Sequence, residues 1–299
     1  RVGAYAVVPG PGLLNTTAAL STSLAANVPV LCVTGQIPSA YIGRGHGMLH
    51  EIPDQLGVLR GLTKWAARID HPTDAPAKVA EAFRQLRTGR PQPVAMEMGL
   101  DQMAQRCDVE LLPAAKDYSR PPVDEDAVAK AAALLAKAEK PMIFIGSGAM
   151  AVGEAIRELA EMLQAPVVAN RTGRGILSDR HYLSLTQTAG HRLWAEADVI
   201  LAVGSRLQVP RMNWGTDDEM KIIHVDIDPV EIKRVNTPDV PIVGDAQDVV
   251  PALIAAVAGQ LDARPSREDE MTALKAEMTA LWQDRLAPQM GWIKVLREA

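Results

Sequence analysis

The stretch VVPGPGLLN, residues 7 to 15, decides the fold. Two β-branched residues close an apolar run, a Pro-Gly-Pro-Gly corner follows, and Leu13, Leu14 and Asn15 open a helix-like segment. Pro11 stiffens the corner and removes a donor, while Gly10 and Gly12 accept backbone angles closed to other residues. At the carboxyl end of a parallel strand, such a corner lets a ligand come close to the backbone. The same residues also suit a plain strand-to-helix turn, with Asn15 in the first turn or capping it.

Short apolar runs alternate with helix-period segments on both sides of this corner, the pattern of parallel sheets covered by helices. AYAVV and VPVLCVTG read as strands, with LLNTTAALSTSLAAN as the helix between them. APAKVAEAFRQLRTG sets Val79, Ala82, Phe83 and Leu86 on one helical face, and Gly89 stops it. QPVAMEM reads as another strand. Periodicity then fails in the proline-rich segment around residues 111–122, which reads as a linker. Alternation restarts with a helix from DEDAVAKAAALLAKAEK. PMIFIG, PVVAN, DVILAVG, KIIHVDI and VPIVG follow as strands, with GEAIRELAEMLQ and AQDVVPALIAAVAG as further helices. The fold class is therefore α/β: two doubly wound parallel-sheet domains, the second Rossmann-like. The reading gives a partial first domain over residues 1–110, a central domain over 123–262, and a helical bridge over 263–299. Arg1 already lies in a strand and KVLREA opens a new helix, so both ends read as cut.

Composition excludes several function classes. The chain has 299 residues, 47% hydrophobic and 22% charged, with a net charge of −5 and no basic stripe, which argues against a nucleic-acid surface. Two cysteines, Cys32 and Cys107, are too few for a disulfide framework, and Cys32 in PVLCV reads as a core residue. No apolar run reaches the length of a membrane span and no signal peptide is visible, so the expected location is cytoplasmic.

Chemistry-bearing residues gather at strand ends. VTGQIPSA places Gln36 just past a glycine. The loop IGRGHGMLHEIPDQ carries Arg44, His46, His50, Glu51 and Asp54, a set suited to acid–base work, to a metal, or to plain solvation. Lys64 reads as a pocket cation or a surface residue. In the second half, Gly146 and Ser147 of FIGSGAM begin a phosphate-type turn, without the full GxGxxG spacing. Arg206 and Arg211 follow the next glycine-ended strand. Asp226 and Asp228 in HVDIDPVEI, with Asp245 and Ala246 in VGDA, stand where an acid meets a ribose hydroxyl.

GPGLLN, VPVLCVTGQIP, LTKW, GRPQPV, KPMIFIGSGA, AVGSRL and VDIDPVEI…VGDA occur in this order and spacing. Together they resemble the acetolactate synthase-like family of thiamine diphosphate enzymes, across essentially the whole chain. The resemblance implies that Gly10, Pro11, Gly12 and Asn15 pack against the cofactor's pyrimidine. Gln36 and His50 would face the substrate, a 2-keto acid or an acyl-CoA relative. In that family a glutamate upstream of the GPG corner activates the cofactor, and a later Gly-Asp-Gly…Asn segment holds Mg2+ and the diphosphate. Neither is in this chain, so these 299 residues alone are expected to be inactive. The site of such enzymes lies between chains, so a homodimer or homotetramer is expected.

Two departures from acetolactate synthase itself stand out. Leu49-His50-Glu51 takes the place of Phe-Gln-Glu, and the run from Gly204 to Pro210 lacks the aspartate pair and second arginine of the flavin-binding members. The central domain is thus expected to hold FAD, ADP or nothing, with Gly146, Ser147, Arg206, Asp226, Asp228, Asp245 and Ala246 as the nucleotide-side candidates. A competing reading is a non-catalytic nucleotide-binding module, which explains the missing groups without a cut chain. A nicotinamide oxidoreductase would need the full GxGxxG that is absent.

Overall fold

The computed structural model describes residues 2–114, 118–216, 219–235 and 237–298. The start at Arg1, residues 115–117 of the expected linker and the end at Ala299 lie outside them. The chain divides into two compact units, Arg1–Arg120 and Pro121–Ala299.

The first unit runs β1 (Gly3–Val7), α1 (Pro11–Leu14), α2 (Thr17–Ala26), β2 (Val30–Gln36), α3 (Gln55–Leu62), β3 (Trp65–Ile69), α4 (Ala75–Arg87), β4 (Val94–Gly99) and α5 (Leu100–Met103). Its strands form one parallel sheet in the order β1-β2-β4-β3. Side chains alternate across a strand, and the two faces separate cleanly. Leu31, Val94, Met96 and Ile69 pack on one face with Ala82 and Leu86 of α4. Cys32 and Ala95 pack on the other with Leu13, Leu20 and Leu59. The sheet is thus covered on both sides, as a parallel sheet requires.

The helix expected over residues 13–27 is broken in two. The Thr16 hydroxyl donates to the Leu13 carbonyl at 2.8 Å, and the Thr16 amide donates to the same carbonyl at 2.9 Å. The first turn tightens and stops, so Asn15 lies at the C-terminal cap of α1, its amide donating to the Pro11 carbonyl at 3.1 Å. On α4, Ala82, Leu86 and the half-buried Phe83 face inward, but Val79 is 39% exposed because it lies at the edge of the buried stripe. The helix already ends at Thr88, which is extended, and the expected stop Gly89 follows it at φ +57°.

The second unit runs α6 (Glu125–Lys137), β5 (Met142–Ile145), α7 (Gly153–Leu163), β6 (Val167–Ala169), β7 (Ser184–Leu185), α8 (Gln187–Trp194), β8 (Val199–Val203), β9 (Lys221–Asp226), α9 (Pro229–Lys233), β10 (Val240–Val243), α10 (Ala246–Ala258), α11 (Glu268–Arg285) and α12 (Met290–Glu298). Its parallel sheet has the order β10-β9-β8-β5-β6-β7, so the direction of winding reverses between β5 and β8. β5 and β8 are buried throughout and read as unbroken apolar runs, as central strands do. Pro241 sits in the edge strand β10, where its missing N–H breaks no central ladder. Met271, Leu274 and Met278 of α11 join the same core as α6, α7 and α10. No helix among the described residues is long and apolar enough to cross a membrane.

Burial on α4 is directly testable. Leu86→Ala should cost about 2–5 kcal/mol of stability, while Val79→Ala should stay within about 1 kcal/mol, both read by urea unfolding.

Candidate functional site

The carboxyl edge of the first sheet carries a polar layer that the strand register creates. Thr34 of β2 lies opposite Glu97 of β4, which lies opposite Arg68 of β3. In a parallel sheet these side chains share a face, the same face that buries Cys32 and Ala95 one pleat deeper. Glu97 is fully buried, and its Oε1 accepts from Arg68 Nε at 2.6 Å. Its Oε2 accepts from Gln55 Nε2 at 2.8 Å and from Gln36 Nε2 at 3.4 Å.

Gln55 joins this layer to the Pro-Gly-Pro-Gly corner. Its Oε1 accepts from the Gly10 amide at 2.9 Å, and its Nε2 also donates to the Gly35 carbonyl at 2.9 Å. Gly10 has φ +62°, and a Cβ there would lie 2.5 Å from the His50 carbonyl oxygen. The glycine is therefore needed for the chain's own loop to come close. A Cβ on Gly12 would meet Val8 Cγ2 at 2.5 Å. Pro11 and Asn15 are exposed, and exposed Val8, Leu14 and Leu49 add apolar surface on the corner and its neighbouring loop. Gln36 ends β2 buried, with its Oε1 accepting from the Ile37 amide at 2.8 Å.

The glycine-rich loop is shaped around a carboxylate. Glu51 accepts from the Met48 amide at 2.8 Å and the Gly45 amide at 3.1 Å. These donors, the Met48 amide first, hold its carboxyl below the usual carboxylate range. His50 is half-buried at φ +72°. His46 instead packs edge-on to Tyr41 at 5.9 Å. Lys64 is neither a pocket cation nor a free surface charge: its Nζ donates to the carbonyls of Gln85, Thr88 and Arg90 at 2.7, 2.5 and 3.2 Å. It anchors the end of α4, where a cation also meets the helix dipole.

In the second unit most of the expected nucleotide-side residues are engaged by other parts of the chain, and Asp226 and Asp228 meet each other. Gly146 and Gly148, flanking Ser147, pack directly on Gly204, and the Gly148 amide donates to the Gly204 carbonyl at 3.2 Å. Arg206 Nε donates to Glu231 at 3.0 Å, and Arg234 holds the other oxygen of this buried carboxylate. Asp226 accepts from the Asp228 amide. Asp228 caps α9 through the Val230 amide, and Asp245 caps α10 through the Gln247 amide with Ala246 in its first turn. Arg211 is buried and reaches the Thr237 carbonyl at 3.5 Å. No group of three or more His, Cys, Asp or Glu among the described residues is arranged to hold a metal ion.

Glu97, Gln55, Arg68, Glu231 and His224 were not singled out in the sequence. One signal was present: a carboxylate between two methionines in VAMEM has to find a partner when the strand is buried.

Residues 1–58 match the family model described as thiamine pyrophosphate enzyme, N-terminal TPP binding domain, and residues 128–253 match the thiamine pyrophosphate enzyme central domain. The chain belongs to this family of thiamine diphosphate enzymes, and within it is acetolactate synthase-like. It is 34% identical over 277 residues to a probable acetolactate synthase large subunit of Methanocaldococcus jannaschii, covering 86% of this chain and 46% of that protein. It is 31% identical over 261 residues to the acetolactate synthase isozyme 1 large subunit of Escherichia coli, covering 84% and 46%. A probable 2-ketoarginine decarboxylase of Pseudomonas aeruginosa is 32% identical over 295 residues, covering 94% and 51%. The chain spans about half the length of these curated relatives.

Two predictions follow from the buried charges. Arg68→Met leaves Glu97 buried without its cation and should cost about 3–5 kcal/mol in urea unfolding. His224 is buried in β9 with Nε2 at 2.8 Å from the Ser205 carbonyl, and burial pushes its pKa down from 6.5 to about 4. The unfolded chain takes up this proton near pH 6.5 and the folded chain only near pH 4. The contribution is therefore whole above pH 6.5 and disappears as pH falls to 4, about 3 kcal/mol in all. Unfolding free energies measured across this window should fall less steeply for His224→Gln than for the parent.

Proposed function

We propose that these residues are the pyrimidine-holding and central parts of an enzyme that makes or breaks a carbon–carbon bond next to a carbonyl. Its substrate is a 2-keto acid or an acyl-CoA relative. The carrying observation is the Gly10 corner: a left-handed glycine at a strand end, beside a buried amide and carboxylate layer, inside the segment that matches the TPP-binding domain. The residues present fit the cofactor's flat ring. Exposed Val8, Pro11 and Leu14 give it apolar surface, and Asn15 adds a polar side chain at the rim.

Thiamine diphosphate, when bound, supplies the nucleophilic carbon and the sink for the electron pair left by the broken bond. Gly10, Pro11, Gly12 and Asn15 hold and orient the ring. Gln36 and His50 face the substrate, with Gln36 fixed by Glu97 and His50 placed by the loop that seats against Gly10. Mg2+ and the diphosphate are assigned to parts of the protein beyond these residues, and the working unit to a cytoplasmic homodimer or homotetramer.

FAD or ADP in the central domain has a poorer fit. Arg206 is engaged by Glu231, Asp228 and Asp245 cap helices, and the Gly148 amide already donates to Gly204. No step is assigned to a nucleotide there, and the same engagement weighs against a pure nucleotide-binding module.

Isothermal titration of the whole protein with thiamine diphosphate and Mg2+ tests this reading, followed by assays of carbon dioxide release and carboligation on a panel of 2-keto acids. Gly10→Ala, whose Cβ would press on the His50 carbonyl, should weaken cofactor binding at least about tenfold, or about 1.4 kcal/mol. A parent protein that ignores millimolar thiamine diphosphate would overturn the proposal.

A further inference from the structure

Gln55 was not singled out in the sequence, yet its side chain makes three hydrogen bonds at the corner. It is 1% exposed, in the first turn of α3 just after the Asp54 cap, whose Oδ1 accepts from the Gly57 amide at 2.8 Å. A glutamine amide offers two N–H donors and one carbonyl acceptor. Both donors are used, on the Gly35 carbonyl and Glu97 Oε2, and the carbonyl accepts from Gly10.

Its orientation is dictated from outside. Turned over, the amide would set its NH2 against the Gly10 N–H and its oxygen against the Glu97 carboxylate and the Gly35 carbonyl, losing all three bonds. Arg68 holds the far oxygen of Glu97, and Gln36 donates to the same Oε2 that Gln55 uses. The corner needs such an anchor. Among the described residues β1 pairs with β2 alone, the pairing ends at Val7, and Pro11 has no amide hydrogen.

We propose that Gln55 is a positioning residue for the cofactor corner. It fixes Gly10 directly and, through Glu97, ties the corner to Gln36, so that the cofactor and substrate sides of the cleft are set together. This rests on the thiamine diphosphate reading given above.

Two variants of the whole protein separate positioning from packing. Gln55→Met keeps the volume and removes every hydrogen bond. Gln55→Glu still accepts from Gly10, but it donates to Glu97 only when protonated. Glu97 and Arg68 are the charged side chains bonded into this layer, and His50 lies across Gly10. Leu86→Ala, at a fully buried position of α4 on the opposite face of the sheet, is the structural control.

Hydrogen exchange of peptides covering residues 7–15 and 35–37 would be measured without cofactor, alongside the thiamine diphosphate dissociation constant and the melting temperature. Gln55→Met should speed exchange in those two segments and weaken cofactor binding tenfold or more. Leu86→Ala, at equal or greater loss of melting temperature, should leave cofactor affinity within threefold. Gln55→Glu should bind within threefold of the parent at pH 5.5 and lose at least tenfold by pH 8. The inference is overturned if Gln55→Met weakens binding no more than Leu86→Ala and Gln55→Glu shows no pH dependence beyond the parent's. If the parent itself does not bind, the thiamine diphosphate reading fails, and this inference with it.

Discussion

The ion pair between Arg68 and Glu97 is the constraint on which the first unit depends. Placing a carboxylate in a sheet covered on both faces costs several kcal/mol unless a cation and further donors meet it. Here the register does the matching: Arg68 and Glu97 are direct neighbours on adjacent strands, and Thr34 completes the row. The remaining oxygen still needs donors, and they come from Gln36 on β2 and Gln55 on α3. The charge pair therefore dictates where two amides point. One of those amides reaches the turn at Gly10, where φ is positive and the His50 carbonyl leaves no room for a Cβ.

The glycines at the strand ends serve the chain before they serve any ligand. Gly10 is left-handed and closed in by the His50 carbonyl. Gly204 is left-handed too, and packs against Gly148 across the point where the second sheet reverses its winding. In both places the absent Cβ lets one backbone segment lie on another. A glycine-rich strand end thus has two physical explanations with the same sequence signature. Only the groups left free beside it tell them apart.

This ambiguity explains what was legible in the sequence. Both parallel sheets could be read because central strands such as MIFI and VILAV are continuous apolar runs, and the helices between them keep their period. β3 was not read as a strand, since WAARI is five residues long and carries Arg68 on the buried polar layer. α3 was hidden by Gly57 and Gly61 inside an eight-residue helix. The corner and Gln36 were visible as local patterns, whereas Gln55 and Glu97 matter through contacts between 20 and 61 residues apart in sequence. No local rule reports such partners. Lys64 shows the same limit: three carbonyls from the end of α4 decide its role, and none is its neighbour in sequence.

The two units solve one electrostatic problem in opposite ways. Each has a buried glutamate held by arginine near the carboxyl ends of its strands: Glu97 with Arg68, and Glu231 with Arg206 and Arg234. In the first unit the arginine comes from within the sheet and the carboxylate hands its free oxygen to amides that organise the corner. In the second unit the carboxylate draws in Arg206, which follows the glycine-ended strand β8. Asp228 and Asp245 are likewise spent on the first turns of α9 and α10. The same fold grammar thus lets a buried carboxylate organise the corner in one unit and largely satisfies itself in the other. For that reason, the function we propose is placed at the corner at Gly10.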